Sequence, residues 1–221
     1  MLTHVIATPR VSKHHIFVKL PTTILPSTML SVVADDRWER YSGLQSRIHQ
    51  VWSLQFGGMV GETPRYNPSK CFGSFPFPEM PGGSVVPFAG QAYHDHRAAL
   101  MVARNEGMTK TYNRFHDPYE TAEDIRLLRE LHAAMDRAVL EAYGWPDLAA
   151  RAEPIFLDET NEDDHTYQGR LFWPSAFRDE VLARLLALNA ERHAEELRLG
   201  IAPGMKAGNG ASMDGDDDLD K

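Results

Sequence analysis

Cysteine is nearly absent: Cys71 is the sole thiol in 221 residues, which excludes an internal disulfide framework and any multi-cysteine zinc site and fits a reducing compartment. Long apolar runs are absent too. None approaches the roughly 20 residues that a membrane-spanning helix needs, and Pro9 and Arg10 break the N-terminal stretch before it reads as a signal peptide. The expectation is a protein without membrane contact, cytoplasmic by default.

The usual signatures of catalysis are missing as well. There is no Ser or Cys nucleophile in an elbow motif, no lysine-bearing phosphate loop and no carboxylate pair at an interpretable spacing. Gly57-Gly58-Met59-Val60-Gly61 is glycine-rich, but it follows a helical pattern where a cofactor loop has to join a strand to a helix. Helix termination is the better reading. His94-Asp95-His96 offers two imidazoles and a carboxylate, yet side chains two apart on a helix point about 200° apart, so they converge on a metal only if the segment is extended. The acidic stretch 158–164 reads as a solvated loop, so no metal site is expected.

What is present is enough apolar material for a core: 43% hydrophobic residues, with ten Phe and four Trp, for one medium domain or two small ones. The net charge of −8 is unevenly placed. Residues 1–70 carry eight Lys and Arg against four acids, an excess of four positive charges, and four histidines besides (His4, His14, His15, His49). A phosphate-binding surface would therefore lie in the first third.

The patterning predicts an α+β fold. His4–Thr8, His14–Leu20 and Met29–Ala34 are rich in β-branched and aromatic residues and read as a small antiparallel sheet. From Trp38 to about Gln55, Leu44, Ile48, Val51 and Trp52 recur at helical spacing, giving one amphipathic helix packed on that sheet. Residues 63–78 hold too many prolines for a helix and read as an extended strand entering a turn. Pro81-Gly82-Gly83 marks a linker, placed at 81–88. Helices dominate after it: Ala89–Asn105; a second capped by Thr121, with Asp124 in a capping-box position and Ile125, Leu128, Leu131, Met135 and Val139 as its buried stripe; and a last one after Pro174-Ser175. A short strand is expected at Tyr167–Trp173, and a disordered acidic tail from residue 203. The expected domains are thus 1–80, then 89–202.

Several stretches, in order, carry a resemblance: Val11-Ser12-Lys13-His14 leading into a strand; Gly43-Leu44-Gln45-Ser46-Arg47-Ile48-His49 with Trp52; Arg65-Tyr66-Asn67 followed by Cys71-Phe72-Gly73-Ser74-Phe75-Pro76-Phe77-Pro78; Thr111-Tyr112-Asn113; Leu131-His132 with Asp136 and Ala142-Tyr143-Gly144-Trp145-Pro146; and Leu185-Leu186-Ala187-Leu188-Asn189. Over residues 4–199 the chain resembles the back end of the MmeI-like single-chain restriction-modification enzymes and related DNA adenine methyltransferases. That resemblance implies part of a target-recognition domain followed by a helical C-terminal domain. It implies double-stranded DNA as partner, and S-adenosylmethionine bound by catalytic polypeptide lying elsewhere, with no cofactor in this chain. The adenine methyltransferase tetrapeptide is lacking: Asn67-Pro68-Ser69-Lys70 begins like it but has Ser and Lys where a proline and a base-stacking aromatic are needed. A truncated gene, a split gene, or a subunit whose catalytic partner is a separate chain all fit.

Under this reading the candidate DNA contacts are Arg10, Ser12, Lys13 and His14 beside predicted strands, and Arg47, Arg65, Asn67 and Lys70 on or after the predicted helix. Phe72, Phe75 and Phe77 are expected in the core rather than stacked on bases, and His132 is expected in the interior. The competing reading is a protein-interaction subunit whose helical part docks a separate methyltransferase or restriction partner without binding DNA itself.

Overall fold

The computed structural model describes residues 1–79 and 84–201; the expected tail and part of the expected linker lie outside them. The fold is α+β. Strand β1 (His4–Pro9) is the centre of a three-stranded antiparallel sheet, flanked by β2 (Val18–Pro21) and β3 (Leu30–Val33). Ala7 pairs with Val18 on one side and Val32 on the other, so β2 and β3 run parallel to each other across β1. The second expected strand forms only at its end, because His14, His15 and Phe17 point into the core through an irregular segment.

The expected long helix is two helices, α1 (Trp38–Gln45) and α2 (Arg47–Phe56). Ser46 between them is extended (φ −65°, ψ 155°). Its hydroxyl donates to Gly43 O and accepts from His49 N, so it ends one helix and caps the next. Gly57 stops α2, and Gly58 and Gly61, both at positive φ, shape a hairpin of β4 (Met59–Val60) and β5 (Thr63–Pro64). The glycine-rich stretch is thus a helix stop and a turn. Residues 63–78 are not one strand: β5 is followed by a one-turn helix α3 (Pro68–Cys71), which Pro68 can begin because a first-turn N–H needs no intrahelical acceptor.

Helix α4 (Val86–Arg104) starts inside the expected linker, with Val86 fully buried, and ends on Asn105 in the left-handed region. It crosses α1 so closely that a Cβ on Gly90 would lie 1.9 Å from Ser42 Oγ, and that hydroxyl donates to Val86 O. Then come α5 (Met108–Phe115), α6 (Glu123–Ala142), α7 (Pro146–Ala149), a two-stranded antiparallel sheet of β6 (Ile155–Leu157) and β7 (Arg170–Phe172), and α8 (Ser175–Leu199). Thr121 does not cap α6. Ala122 holds the N-cap position, its amide bonded to Glu120, while Asp124 is paired with Arg104.

Two apolar clusters hold these elements together, and each draws on both sides of the expected boundary. One packs Ile48, Val51 and Trp52 of α2 against Val139 of α6, Phe172, Trp173, and Val181 and Leu185 of α8. The other packs Ile6, Phe17, Tyr41, Leu44 and Tyr66 against Tyr93, Tyr112, Phe115, Ile125, Leu128 and Met135. Each such side chain contributes about 1.5–3 kcal/mol on burial, and in both clusters part of that burial is made across residues 81–88. No helix among the described residues is long and apolar enough to cross a membrane.

Candidate nucleic-acid interface

The end of β1 and the segment after it are stitched on both sides. On one side Arg10 N–H donates to Met29 O (2.9 Å). On the other, Tyr66 N–H donates to Arg10 O (2.8 Å), Ser12 N–H donates to Pro64 O (3.2 Å), and Val11 forms a β-bridge with Arg65. Backbone hydrogen bonds thereby bring the two candidate stretches, 10–13 and 65–67, side by side, although more than fifty positions separate them. Lys70 follows on α3. Arg10, Lys13, Arg65 and Lys70 are exposed, and Ser12 and Asn67 are half-buried.

Partnering divides the eight cations of the first third. Arg37 and Arg40 pair with Asp35, Arg47 pairs with Asp136, and Lys19 donates to Asp36 O while lying over the Trp38 ring. Arg10, Lys13, Arg65 and Lys70 have no ion-pair partner among the described residues, and all four are among the candidates. The positive excess of this region therefore resides on the stitched segment and the short helix after it.

Two candidates are removed. Arg47 is 1% exposed: its guanidinium donates to Asp136 (2.6 Å) and to Leu171 O, and its backbone N–H to the other Asp136 oxygen (2.8 Å), so nothing remains for a nucleic acid. Burial alone would raise the Asp136 carboxyl, but His132 and Arg47 hold it below its ordinary range. Since burial pushes His132 towards its neutral form, Arg47 is the cation that compensates Asp136 at neutral pH. His132 is thus an interior residue, its Nε2 facing Gln45 O.

His14 is also interior. Its ring stacks on His116 at 4.9 Å, and burial, helped by Arg170, lowers its pKa to about 4. His15 is brought to about 4 and His49 to about 3, again chiefly by burial. These three histidines are neutral at pH 7 and add nothing to a phosphate-binding field. Asn67 is committed in part: its Oδ1 caps α3, accepting from Ser69 N (3.2 Å) and Ser69 Oγ (2.8 Å). A bidentate contact to adenine uses both the oxygen and the nitrogen of the amide, so Asn67 reads a base only by giving up that cap.

One residue bearing on this segment gives no sign of its role in the sequence. Arg170 on β7 donates from Nη2 to Lys13 O (2.8 Å) and from Nε to Thr166 O (2.7 Å). A contact spanning 157 positions leaves no local signal. The other expectations resolve simply. His94 hydrogen-bonds Asp95 against Trp38 and Tyr41, whereas His96 faces Asp124 O. Among the described residues no three metal-ligating side chains converge. In the acidic loop, Asp158 and Asp164 accept from turn amides and Glu162 pairs with buried Arg178 at 2.6 Å. Phe75 is buried, with Phe72 and Phe77 packed beside it.

No family model and no curated protein matches the sequence. Among solved structures, the fold matches that of the Type IIL restriction-modification enzyme MmeI in complex with DNA, at 17% identity and a TM-score of 0.62. The alignment covers 87% of this chain and 22% of MmeI, so the chain spans about a fifth of that enzyme's length, and what the two share is the fold.

Proposed function

We propose that this chain is a DNA-recognition module of a site-specific adenine methyltransferase of the restriction-modification type, with methyl transfer carried out by polypeptide outside it. One observation carries this reading: the four cations of residues 1–70 that have no ion-pair partner among the described residues, Arg10, Lys13, Arg65 and Lys70, lie on two stretches that share a hydrogen-bonded bridge, or directly after them. MmeI, whose fold it shares, was solved with DNA. Cationic side chains on a rigid backbone fix the register of a duplex through its phosphates, and Ser12 and Asn67 beside them are suited to short-range polar contacts. S-adenosylmethionine belongs to the catalytic part. The glycine-rich stretch of this chain is a helix stop followed by a two-strand turn, which does not fit that cofactor.

Binding of duplex DNA by the purified chain, followed by fluorescence anisotropy over a salt series, tests the proposal. Four phosphate contacts give a log–log slope of roughly −3.6. Methyl transfer by the chain alone, followed with labelled cofactor, should stay at background. A second reading has its own support: α4 exposes Phe88 and Val102, with Val85 before it, as a surface for a catalytic partner chain. Duplex binding that is absent at every salt concentration selects that reading and rejects the first.

A further inference from the structure

Arg170 is 4% exposed, yet no carboxylate forms an ion pair with it among the described residues; Asp164 acts on it only from a distance. Its Nη1 is buried without a hydrogen-bond partner. An uncompensated guanidinium in the interior costs several kcal/mol, and an apolar side chain of similar volume would avoid that cost, so stability alone does not account for the residue. What its fork does is hold two carbonyls, Thr166 O on its own hairpin and Lys13 O on the cationic segment. Residues 10–12 are fixed by strand-type bonds on both flanks, but those bonds end at Ser12. At Lys13 the restraint passes to the Arg170 guanidinium.

We infer that Arg170 is a positioning residue for DNA binding: by clamping the Lys13 main chain it keeps the Lys13 ammonium in register with Arg10 and Arg65 on the duplex backbone, without touching DNA itself. This rests on the DNA-recognition reading above. A fixed position matters because a mobile main chain has to be ordered when its lysine meets a phosphate, whereas a main chain already clamped has little of that backbone entropy left to lose.

The test is a double-mutant cycle on duplex affinity and its salt slope, using the wild-type chain, Arg170→Gln, Lys13→Ala and the double variant, with urea midpoints in parallel. Arg170→Gln should weaken duplex binding about tenfold and make the log–log slope shallower by about 0.9, as expected when one fewer phosphate is neutralised. In the Lys13→Ala background it should add less than about twofold, because the ammonium it positions is absent there. A purely structural role would lower the urea midpoint and weaken binding with the slope unchanged, and would be fully additive with Lys13→Ala; either result overturns the inference. If Arg170→Gln does not fold, Arg170→Lys, which keeps the charge but not the fork, takes its place in the same cycle. Wild-type protein that shows no salt-dependent duplex binding removes the recognition reading itself. Wild-type binding that Arg170 variants match removes only the clamp.

Discussion

Two sets of basic residues in this molecule look alike in sequence and behave differently in space. Arg10, Lys13, Arg65 and Lys70 are exposed and without an ion-pair partner among the described residues, whereas Arg47, Arg97, Arg170 and Arg178 are buried and donate to carbonyls, a tyrosine hydroxyl or a single carboxylate. Buried arginines of this kind join segments far apart in the chain: Arg97 donates to Phe17 O, and Arg47 reaches both α6 and β7. A count of positive charge in a stretch of sequence therefore overstates the field available to a ligand by whatever fraction is used inside. The histidines follow the same division, since three of the four in the first third are interior.

The division between surface and interior is open to experiment, and acid should act on it most strongly. In the unfolded chain His14, His15 and His49 titrate near the ordinary value of 6.5, whereas in the folded protein they do so at about 4, 4 and 3. As pH falls below 6.5 the unfolded chain takes up protons that the native state refuses. The stability associated with these groups is therefore complete above pH 6.5 and is lost as pH falls towards 4. At about 1.4 kcal/mol per unit for each histidine, the loss is on the order of 6 kcal/mol by pH 5, comparable to the whole stability of many domains. Circular dichroism should show cooperative unfolding between pH 6 and 4; a native spectrum and an unchanged urea midpoint at pH 4.5 would mean that the rings are solvated and the interior assignment is wrong.

Next in size is Asp136→Ala, which strands Arg47 in the core and should cost about 3–5 kcal/mol in urea denaturation. A loss below 1 kcal/mol would show that Arg47 can reach solvent, returning it to the set of possible DNA contacts. The surface set should matter least for stability: Arg10→Ala or Arg65→Ala should shift the unfolding free energy by no more than about 0.5 kcal/mol while making the duplex-binding salt slope shallower by about 0.9 each. Stability losses of about 2 kcal/mol or more there would blur the distinction between the two sets.

Elements defined by local chemistry are legible in the sequence. The apolar stripe of α6 buries Ile125, Leu128, Met135 and Val139, and the glycines that close α6 and α8, Gly144 and Gly200, both adopt positive φ. Features decided by distant partners are not. The break between α1 and α2 has a local cap in Ser46, but nothing near it says that the next amide will be taken by Asp136, 89 positions away. Helix α5 escapes a reading of the sequence because Gly107 gives no side-chain cap and five of its eight residues are polar. Strand β6 escapes it because three residues are too few to show alternation. For the candidate interface, the basic stretches are legible, but the bridge that joins them and the two candidates that turn inward depend on tertiary contacts.

The main chain of Leu171 carries one more implication. In the β6–β7 ribbon its N–H is taken by His116 Nδ1 and its C=O by the Arg47 guanidinium, so side chains occupy the flank of β7 that β6 leaves uncovered. A bare flank in so short a ribbon would invite a strand from another molecule to add itself edge to edge. Here that flank is plugged from within, which protects the ribbon against aggregation through its open side.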